Sequence, residues 1–217
     1  MKKIAFIVVF LIIAKFAAAQ EFRFGLRLSP IISMAAISDK DKNTINGLTK
    51  SSKVGFAGGL MATYQFTEKF GLHSGLNIVS KGYEYEVAYP ASTPKQTTKT
   101  NLTTVEIPVA LHMRTNEIAS GIRIRGIFGG SFNILASSKT DVTISGTTTS
   151  TKKSDGYYKI VPDFIVGAGV EWSLKDAGTI DLGIRFNQPL FLVTDKINGT
   201  DGRIKASYLS FDIGYYF

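Results

Sequence analysis

Arginine and carboxylate side chains recur at alternate positions within otherwise apolar stretches of this 217-residue chain. Charges of both signs on one face of a sheet can pair with one another, and buried charges are costly unless they do. The pattern therefore predicts an ion-pair network that faces the inside of a closed sheet. The predicted network consists of Arg23, Arg27, Glu106, Arg123, Arg125, Glu171, Asp181, Arg185 and Asp212, with Arg114 on the same face.

The order of the predicted strands indicates partners within this network. Arg123 and Arg125 lie on the strand between those of Glu106 and Glu171. We therefore expect these two arginines to pair with these two glutamates. A barrel of about eight strands has an interior just wide enough for side chains to fill. The network is expected to plug the barrel, and an open conducting pore is the alternative.

The chain has two histidines, His73 and His112, at the ends of neighbouring predicted strands. Both are expected to point inward near the same end of the barrel, where they could approach each other and bind a metal ion. The alternative, which we favour, is two polar side chains in the lumen. Asp195 and Asp201 lie in a long loop without a supporting catalytic motif. Because the chain also has no cysteine, we expect no catalytic, cofactor-binding or metal-binding residues.

Eight stretches with a two-residue apolar period provide the strands that must position these side chains. Gly167 and Gly169 lie inside one of them, so they are interpreted as fitting a crowded interior and not as a nucleotide-binding loop. The alternation changes phase near Gly82, which predicts a β-bulge or the point where the strand leaves the membrane. The stretches cover residues 22–28, 54–66, 70–78, 105–114, 122–134, 164–174, 180–187 and 208–217.

The polarity of the two faces distinguishes a membrane barrel from a soluble one. A soluble β-sandwich or lipocalin-like barrel has an apolar interior, whereas lipid covers the apolar face of a transmembrane barrel. These features predict an all-β fold: an eight-stranded antiparallel transmembrane β-barrel with short periplasmic turns and long extracellular loops. It would be a multi-pass protein of the bacterial outer membrane. The predicted turns are 67–69, 115–120 and 175–178, and the predicted loops are 30–53, 90–101, 137–159 and 189–206.

The beginning of the sequence resembles a secretory signal peptide. A basic start precedes an apolar stretch at 4–13, and small residues follow at 17–19. Lys15 limits the apolar stretch to roughly ten residues, about half the length of a membrane-spanning helix. We therefore expect a signal peptide at 1–19 and a single barrel domain at 20–217.

The last predicted strand resembles the C-terminal assembly signature of bacterial outer-membrane barrels. Its apolar face carries Phe211, Ile213, Tyr215 and Phe217, and aromatic rings are favoured at the membrane interface. We expect the barrel assembly machinery to recognise these residues. Deletion of Phe217 should lower the folded, heat-modifiable fraction of the protein in outer membranes.

The chain carries a formal net charge of +8, and each of the four predicted loops is net positive. Basic extracellular loops would face the phosphate groups of lipopolysaccharide. We expect outer-membrane lipid, lipopolysaccharide and a protein of the envelope as partners, and no nucleic acid. The best candidate for a surface contact is Lys152 and Lys153, near a threonine run and Tyr157 and Tyr158. An unstructured hydrophilic loop is the alternative.

Three segments resemble a known family: 104–111 (TVEIPVAL), 127–132 (IFGGSF) and 164–171 (FIVGAGVE). They are similar to strands of the PorT-type outer-membrane β-barrel family of Bacteroidetes. The resemblance implies the barrel fold and the outer-membrane location, and the type member is associated with the type IX secretion and gliding apparatus. It supplies no catalytic motif. Pro108 removes a ladder hydrogen bond from its strand, and we expect a bulge or a water molecule to compensate.

Together these features predict a non-enzymatic integral outer-membrane barrel that serves as an anchor or accessory component of an envelope or secretion assembly. A surface- or lipid-acting enzyme and a small transporter or channel are the two alternatives. A steady conductance of the purified protein in a planar bilayer would favour the channel.

Overall fold

The computed structural model describes residues 21–41, 43, 45, 47–87, 95–152, 156–197 and 200–217, with the side chains of 195–197, 200 and 201 excepted. The predicted signal peptide lies outside these residues and stays a prediction. The described residues form one sheet of eleven strands. The strands are β1 (Glu21–Asp39), β2 (Leu48–Ser51), β3 (Lys53–Gln65), β4 (Phe70–Val87), β5 (Gln96–Arg114), β6 (Ile122–Ile144), β7 (Thr147–Thr151), β8 (Ile160–Ser173), β9 (Thr179–Pro189), β10 (Thr194–Ile197) and β11 (Thr200–Tyr216).

Eight long strands close into a barrel. They pair in the order β1, β3, β4, β5, β6, β8, β9 and β11, and β11 pairs with β1 to complete the ring. Every pairing around the ring is antiparallel. Closure removes the unpaired sheet edges that would be costly in a membrane. The predicted eight-stranded antiparallel barrel is therefore confirmed.

The two faces of the barrel wall have the polarity of a membrane protein. Charged side chains such as Arg185 and Glu106 are fully buried in the lumen, whereas large apolar side chains are exposed on the outside. This arrangement is the reverse of a soluble barrel and suits a lipid surround. No helix in the described part of the chain is long and apolar enough to cross a membrane. Exposed outward residues include Phe24, Leu60, Leu76, Ile78, Phe128, Trp172, Ile184 and Ile213.

The connections differ in length at the two ends of the barrel, but the long ones are partly strand. Short turns join β3 to β4, β5 to β6 and β8 to β9, as predicted. At the other end, β1 continues to Asp39, β4 to Val87 and β6 to Ile144. The predicted loops were therefore too long. The apolar outward face stops where the strands leave the lipid, but the backbone ladder continues beyond that point.

The change of phase near Gly82 marks the exit from the membrane and not a bulge. The register between β4 and β5 is unbroken there, with Lys81 opposite Leu102 and Tyr83 opposite Thr100. The chemistry of the inward face changes instead. Tyr83 and Tyr85 lie on the same buried side of β4 as Lys81, but they are aromatic and lie further towards the extracellular end. Above this level the protein has an apolar inside, as a soluble protein does.

These inward apolar residues form an extracellular cap over the lumen. On one side, β2, β4, β5, β6 and β7 form a sheet, and on the other β10, β11 and β1 form a second one. The buried residues of the cap are Ile37, Tyr83, Tyr85, Leu102, Val193, Ile204 and Ala206.

Burial in the cap also changes the ionisation of Tyr83. Its pKa is raised well above the ordinary value, because the phenolate would lose its hydration and the Tyr157 phenol lies close by.

Pro108 interrupts the ladder without a bulge. On the β4 side, Ser74 lies opposite Val109 and Asn77 lies opposite Glu106, which is one continuous register. The two positions between these pairs, which include Pro108, form no pair with β4. Against β6, Pro108 lies opposite Ser131 within a continuous register. The missing donor therefore opens a short gap between β4 and β5, and the expected bulge is not found at this position.

Candidate functional site

The centre of the lumen is organised around one carboxylate, Glu106 on β5. Arg185 donates from Nη1 to Oε1 at 3.1 Å, and Asn187 donates from Nδ2 to Oε2 at 2.9 Å. Asn77 donates to Oε1 at 3.3 Å, and the Tyr208 hydroxyl also donates to the carboxylate. These donors come from β4, β9 and β11. Glu106 thus joins strands on opposite sides of the barrel.

A second carboxylate, Asp212, balances the arginines of this layer. Ser29 donates to Oδ1 at 2.7 Å, and Arg185 Nε lies 3.4 Å from Oδ2. Arg27 is placed between the two acids, 3.8 Å from Asp212 and 3.9 Å from Glu106. The layer therefore contains two arginines and two carboxylates, all buried. Such a balanced set is what a dry interior requires of its charges.

A bidentate pair lies next to this layer. Arg125 donates from Nε and Nη2 to the two oxygens of Asp181, at 2.5 and 2.9 Å. The guanidinium occupies space that two glycines leave free, since a Cβ atom on Gly183 would lie 2.6 Å from Arg125 Nη2. A Cβ atom on Gly169 would lie 3.0 Å from Arg125 Cζ. These inward glycines therefore make room for a side chain, which for Gly169 agrees with the crowded interior predicted from the sequence.

Gly183→Val should displace the Arg125 guanidinium from Asp181. We expect a loss of about 1–3 kcal/mol in the free energy of unfolding, the usual cost of overpacking. Denaturant unfolding in lipid vesicles would measure it. Gly126→Val is the matched control, because a Cβ atom there meets its nearest neighbour only at 3.5 Å. Equal losses in both variants would contradict the close approach of Arg125.

The periplasmic end of the lumen contains a third group of charges. Arg23 donates to both oxygens of Glu171, at 2.9 and 3.3 Å, and lies 4.5 Å from the centre of the Tyr216 ring. His112 Nε2 lies 3.1 Å from Glu171 Oε1, and its Nδ1 lies 2.8 Å from Gln65 Nε2. Arg114 lies at the mouth, 3.4 Å from Glu21. This group closes the periplasmic entrance with polar contacts.

His73 lies in the same part of the lumen but has different partners. Its Nδ1 is 3.2 Å from Thr63 Oγ1, which in turn lies 2.9 Å from the Tyr216 hydroxyl. Both His73 and His112 are buried. Among the residues that the structure describes, no group of three or more His, Cys, Asp or Glu side chains could hold a metal ion. The arrangement is that of two polar lumen side chains in separate hydrogen-bond systems.

The predicted pairing of Arg123 and Arg125 with Glu106 and Glu171 is wrong. Arg125 pairs with Asp181, while Glu106 and Glu171 pair with arginines of β9 and β1. Arg123 is outside the lumen network. Its Nη2 lies 2.9 Å from Glu117 in the turn after β5, with side chains 32% and 48% exposed. Arg123 is the second residue of β6, next to the turn that joins β5 to β6, and water there competes for its charge. The eight other predicted residues line the lumen.

One buried ion pair was missed from the sequence. Lys81 Nζ lies 3.7 Å from Asp163 Oδ2, near the base of the cap, and 5.2 Å from the centre of the Tyr208 ring. The predicted strands ended at Ile78 and began at Phe164, so both residues fell outside them. Extension of the same two-residue alternation would have placed both on the inward face.

A hairpin directly precedes Lys152, within the stretch predicted as the long loop 137–159. β6 and β7 pair from Thr140 to Thr151, and the turn residues Ser145 and Gly146 have φ values of 49° and 82°. Positive φ at both central residues is typical of a two-residue hairpin turn. Tyr157 lies inside the cap, with its hydroxyl 3.1 Å from that of Tyr83. Lys153 lies outside the described residues.

The predicted assembly residues lie on the outside of β11 and just beyond it. Phe211, Ile213, Tyr215 and Phe217 are all exposed, and the Phe217 amide donates to the Phe24 carbonyl of β1 at 2.9 Å. This position would give a membrane-embedded receptor access to all four side chains. Their recognition by the assembly machinery stays a prediction.

The chain matches one family model and is similar to several solved structures. The sequence model of the outer membrane protein beta-barrel domain matches residues 18–195. No curated protein matches the chain. Similar solved structures include Neisserial surface protein A, with 13% identity, a TM-score of 0.43, and coverage of 89% of this chain and 97% of that one.

Two further structures have comparable similarity. Ail, the attachment invasion locus protein of Yersinia pestis, has 14% identity and a TM-score of 0.39, covering 91% of this chain and 99% of its own. OprG of Pseudomonas aeruginosa has 12% identity and a TM-score of 0.45, covering 92% of this chain and 97% of its own.

Proposed function

The chain belongs to the outer membrane protein beta-barrel domain family, and we propose that it is a non-enzymatic anchor that holds an extracellular β-sheet for a protein partner. The barrel is a multi-pass protein of the bacterial outer membrane. The observation that carries the proposal is the closed lumen. Charges fill it in three groups, and the apolar cap covers its extracellular end.

A filled lumen argues against transport through the barrel. Opening a path would separate buried pairs such as Arg185 and Glu106, which costs several kcal/mol for each ion left alone. The space between His73, Arg125 and Tyr216 has no room for the centre of a water molecule. The barrel is therefore better suited to holding an extracellular sheet in position than to conducting a solute.

The extracellular sheet is the part of the molecule that a partner can reach. β7 pairs with β6 along one edge, and within the described residues its other edge has no strand partner. All five residues of β7 are exposed. An open edge offers backbone donors and acceptors to an extended segment of another protein. We propose that the partner adds a strand here, in an envelope or secretion assembly of the kind that the PorT resemblance suggests.

A photo-crosslinking amino acid at Thr149, in the centre of β7, would test this proposal in native outer membranes. We expect one protein adduct of defined mass from Thr149. The same probe at Ser120, in the periplasmic turn after β5, should give no such adduct. Loss of the adduct after a Thr148→Pro substitution, which removes an edge donor, would support strand addition. Lys50→Gln, on β2 at the opposite edge of the same sheet, is the control that should keep it.

Deletion of Ser145 to Ser154 gives an independent result. The barrel should stay folded and heat-modifiable, because its ring of eight strands does not include β7. The partner should no longer be retained with the outer membrane. Retention of the partner by the deletion variant would contradict the proposal and favour the turn from Thr115 to Ser120.

A further inference from the structure

A groove of about 530 Å³ opens on the outer surface where β8, β9 and β11 leave the membrane. It combines apolar and cationic side chains. Its volume is within the range of small-molecule sites. The residues that matter are Tyr158, Ile160, Leu190, Phe191, Arg203 and Lys205.

The height of the groove follows from the strands beneath it. Trp172 marks the periplasmic end of the outward face of β8, and Ile160 marks its extracellular end. The chain between these two residues, at about 3.3 Å per residue and a tilt of about 40°, rises about 30 Å along the barrel axis. That is the thickness of the hydrocarbon layer. The groove therefore lies at the outer boundary, where acyl chains meet lipid headgroups.

The outward face of β11 changes character at this height. Phe211 and Ile213 belong to the lipid-facing belt, and Lys205 and Arg203 follow further along the same face. Burial of Ile204 and Ala206 in the cap fixes the outward direction of these two cations. Lys205 Nζ donates to the Leu190 carbonyl at 3.0 Å, which holds its charge at the edge of the groove.

The apolar side of the groove is exposed at the boundary of the hydrocarbon layer. Phe191 is 65% exposed and Ile160 is 59% exposed, although they lie next to two cations at the boundary with water. Apolar side chains at this depth are stabilised when an acyl chain covers them. Arginine and lysine side by side provide several charge-assisted donors for a phosphate.

We propose that this groove binds one phosphorylated lipid of the outer leaflet. The lipid phosphate contacts Arg203 and Lys205, and one acyl chain lies along Leu190 and Phe191. The site is separate from the edge of β7 and does not depend on a protein partner.

Titration with bisphosphorylated lipid A in detergent, read by native mass spectrometry, tests the proposal. The folded protein should retain one lipid A molecule and no phosphatidylcholine. The Arg203→Gln, Lys205→Gln double variant should bind at least about tenfold more weakly, since two charge-assisted contacts are lost. The matched control is Lys50→Gln with Lys99→Gln, which removes the same charge from exposed positions on the other sheet of the cap.

Two further measurements separate a lipid from a phosphate ion. Phe191→Ser should weaken retention of lipid A, and millimolar inorganic phosphate should not displace the lipid. Equal lipid binding by the two double variants would overturn the proposal. Displacement by inorganic phosphate, or full retention by Phe191→Ser, would show a phosphate site without a lipid and would overturn it as well. The heat-dependent band shift verifies folding, and Lys205→Gln alone replaces the double variant if that variant does not fold.

Discussion

Glu106→Leu should destabilise the barrel more than any other single substitution in the lumen. The variant leaves Arg185 and Arg27 with Asp212 as their remaining carboxylate, and it removes the acceptor of Asn187 and Tyr208. We expect the free energy of unfolding to fall by about 3–5 kcal/mol, the cost of breaking a buried ion pair from one side. Denaturant unfolding in lipid vesicles would measure the loss.

The chain provides its own reporter and control for this measurement. It contains one tryptophan, Trp172, which is half exposed on the lipid-facing side of β8, near the periplasmic end of the strand. Its fluorescence should change when the barrel leaves the membrane. Glu84→Leu is the control, because Glu84 forms an exposed pair with Lys99 in the cap and should cost at most about 1 kcal/mol. A similar small loss for Glu106→Leu would show that water, and not an ion-pair network, fills the lumen.

Asp181→Leu should have the second largest effect, because it leaves the Arg125 guanidinium without its bidentate partner. We expect a loss of about 3–5 kcal/mol from the single substitution and recovery of part of it in the double variant Asp181→Leu, Arg125→Met. The same unfolding assay applies. A coupling energy close to zero would mean that the two side chains do not interact.

The turn pair of Arg123 and Glu117 is the matched control for this cycle. Arg123 Nη2 lies 2.9 Å from Glu117 Oε1, the same distance as Arg125 Nη2 from Asp181 Oδ2 in the buried pair. The side chains of the turn pair, however, are exposed to solvent. We expect a coupling energy of at most about 1 kcal/mol there, as for other exposed pairs. Equal coupling in both cycles would contradict the contrast between lumen and turn.

Most of the barrel could be predicted from the sequence because the two-residue period fixes which side chains share a face. That period places Glu106, Asp181 and Arg185 in the lumen. It could not give their partners. Arg185 reaches Glu106 across the interior from a strand that is not adjacent to β5. Such contacts depend on closure and strand tilt, which alternation does not encode.

The extracellular cap was missed for a related physical reason. The strand predictions followed an apolar outward face, and that face ends where lipid ends. Tyr83 and Leu102 are apolar on the inward side instead, so the same strands continue with reversed polarity. The phase change at Gly82 was the visible signal of this reversal. Lys81 and Asp163 lie at the boundary between the two polarities, which explains why neither was assigned to the lumen.

Paired charges and the apolar cap together close the barrel. The current carried by purified, folded wild-type protein in a planar bilayer tests this closure most directly. We expect no steady conductance from the wild-type protein. We expect none after deletion of Ser145 to Ser154 either, because the lumen pairs do not involve these residues. A steady, large conductance from the folded wild-type protein would contradict the closed lumen and favour a channel.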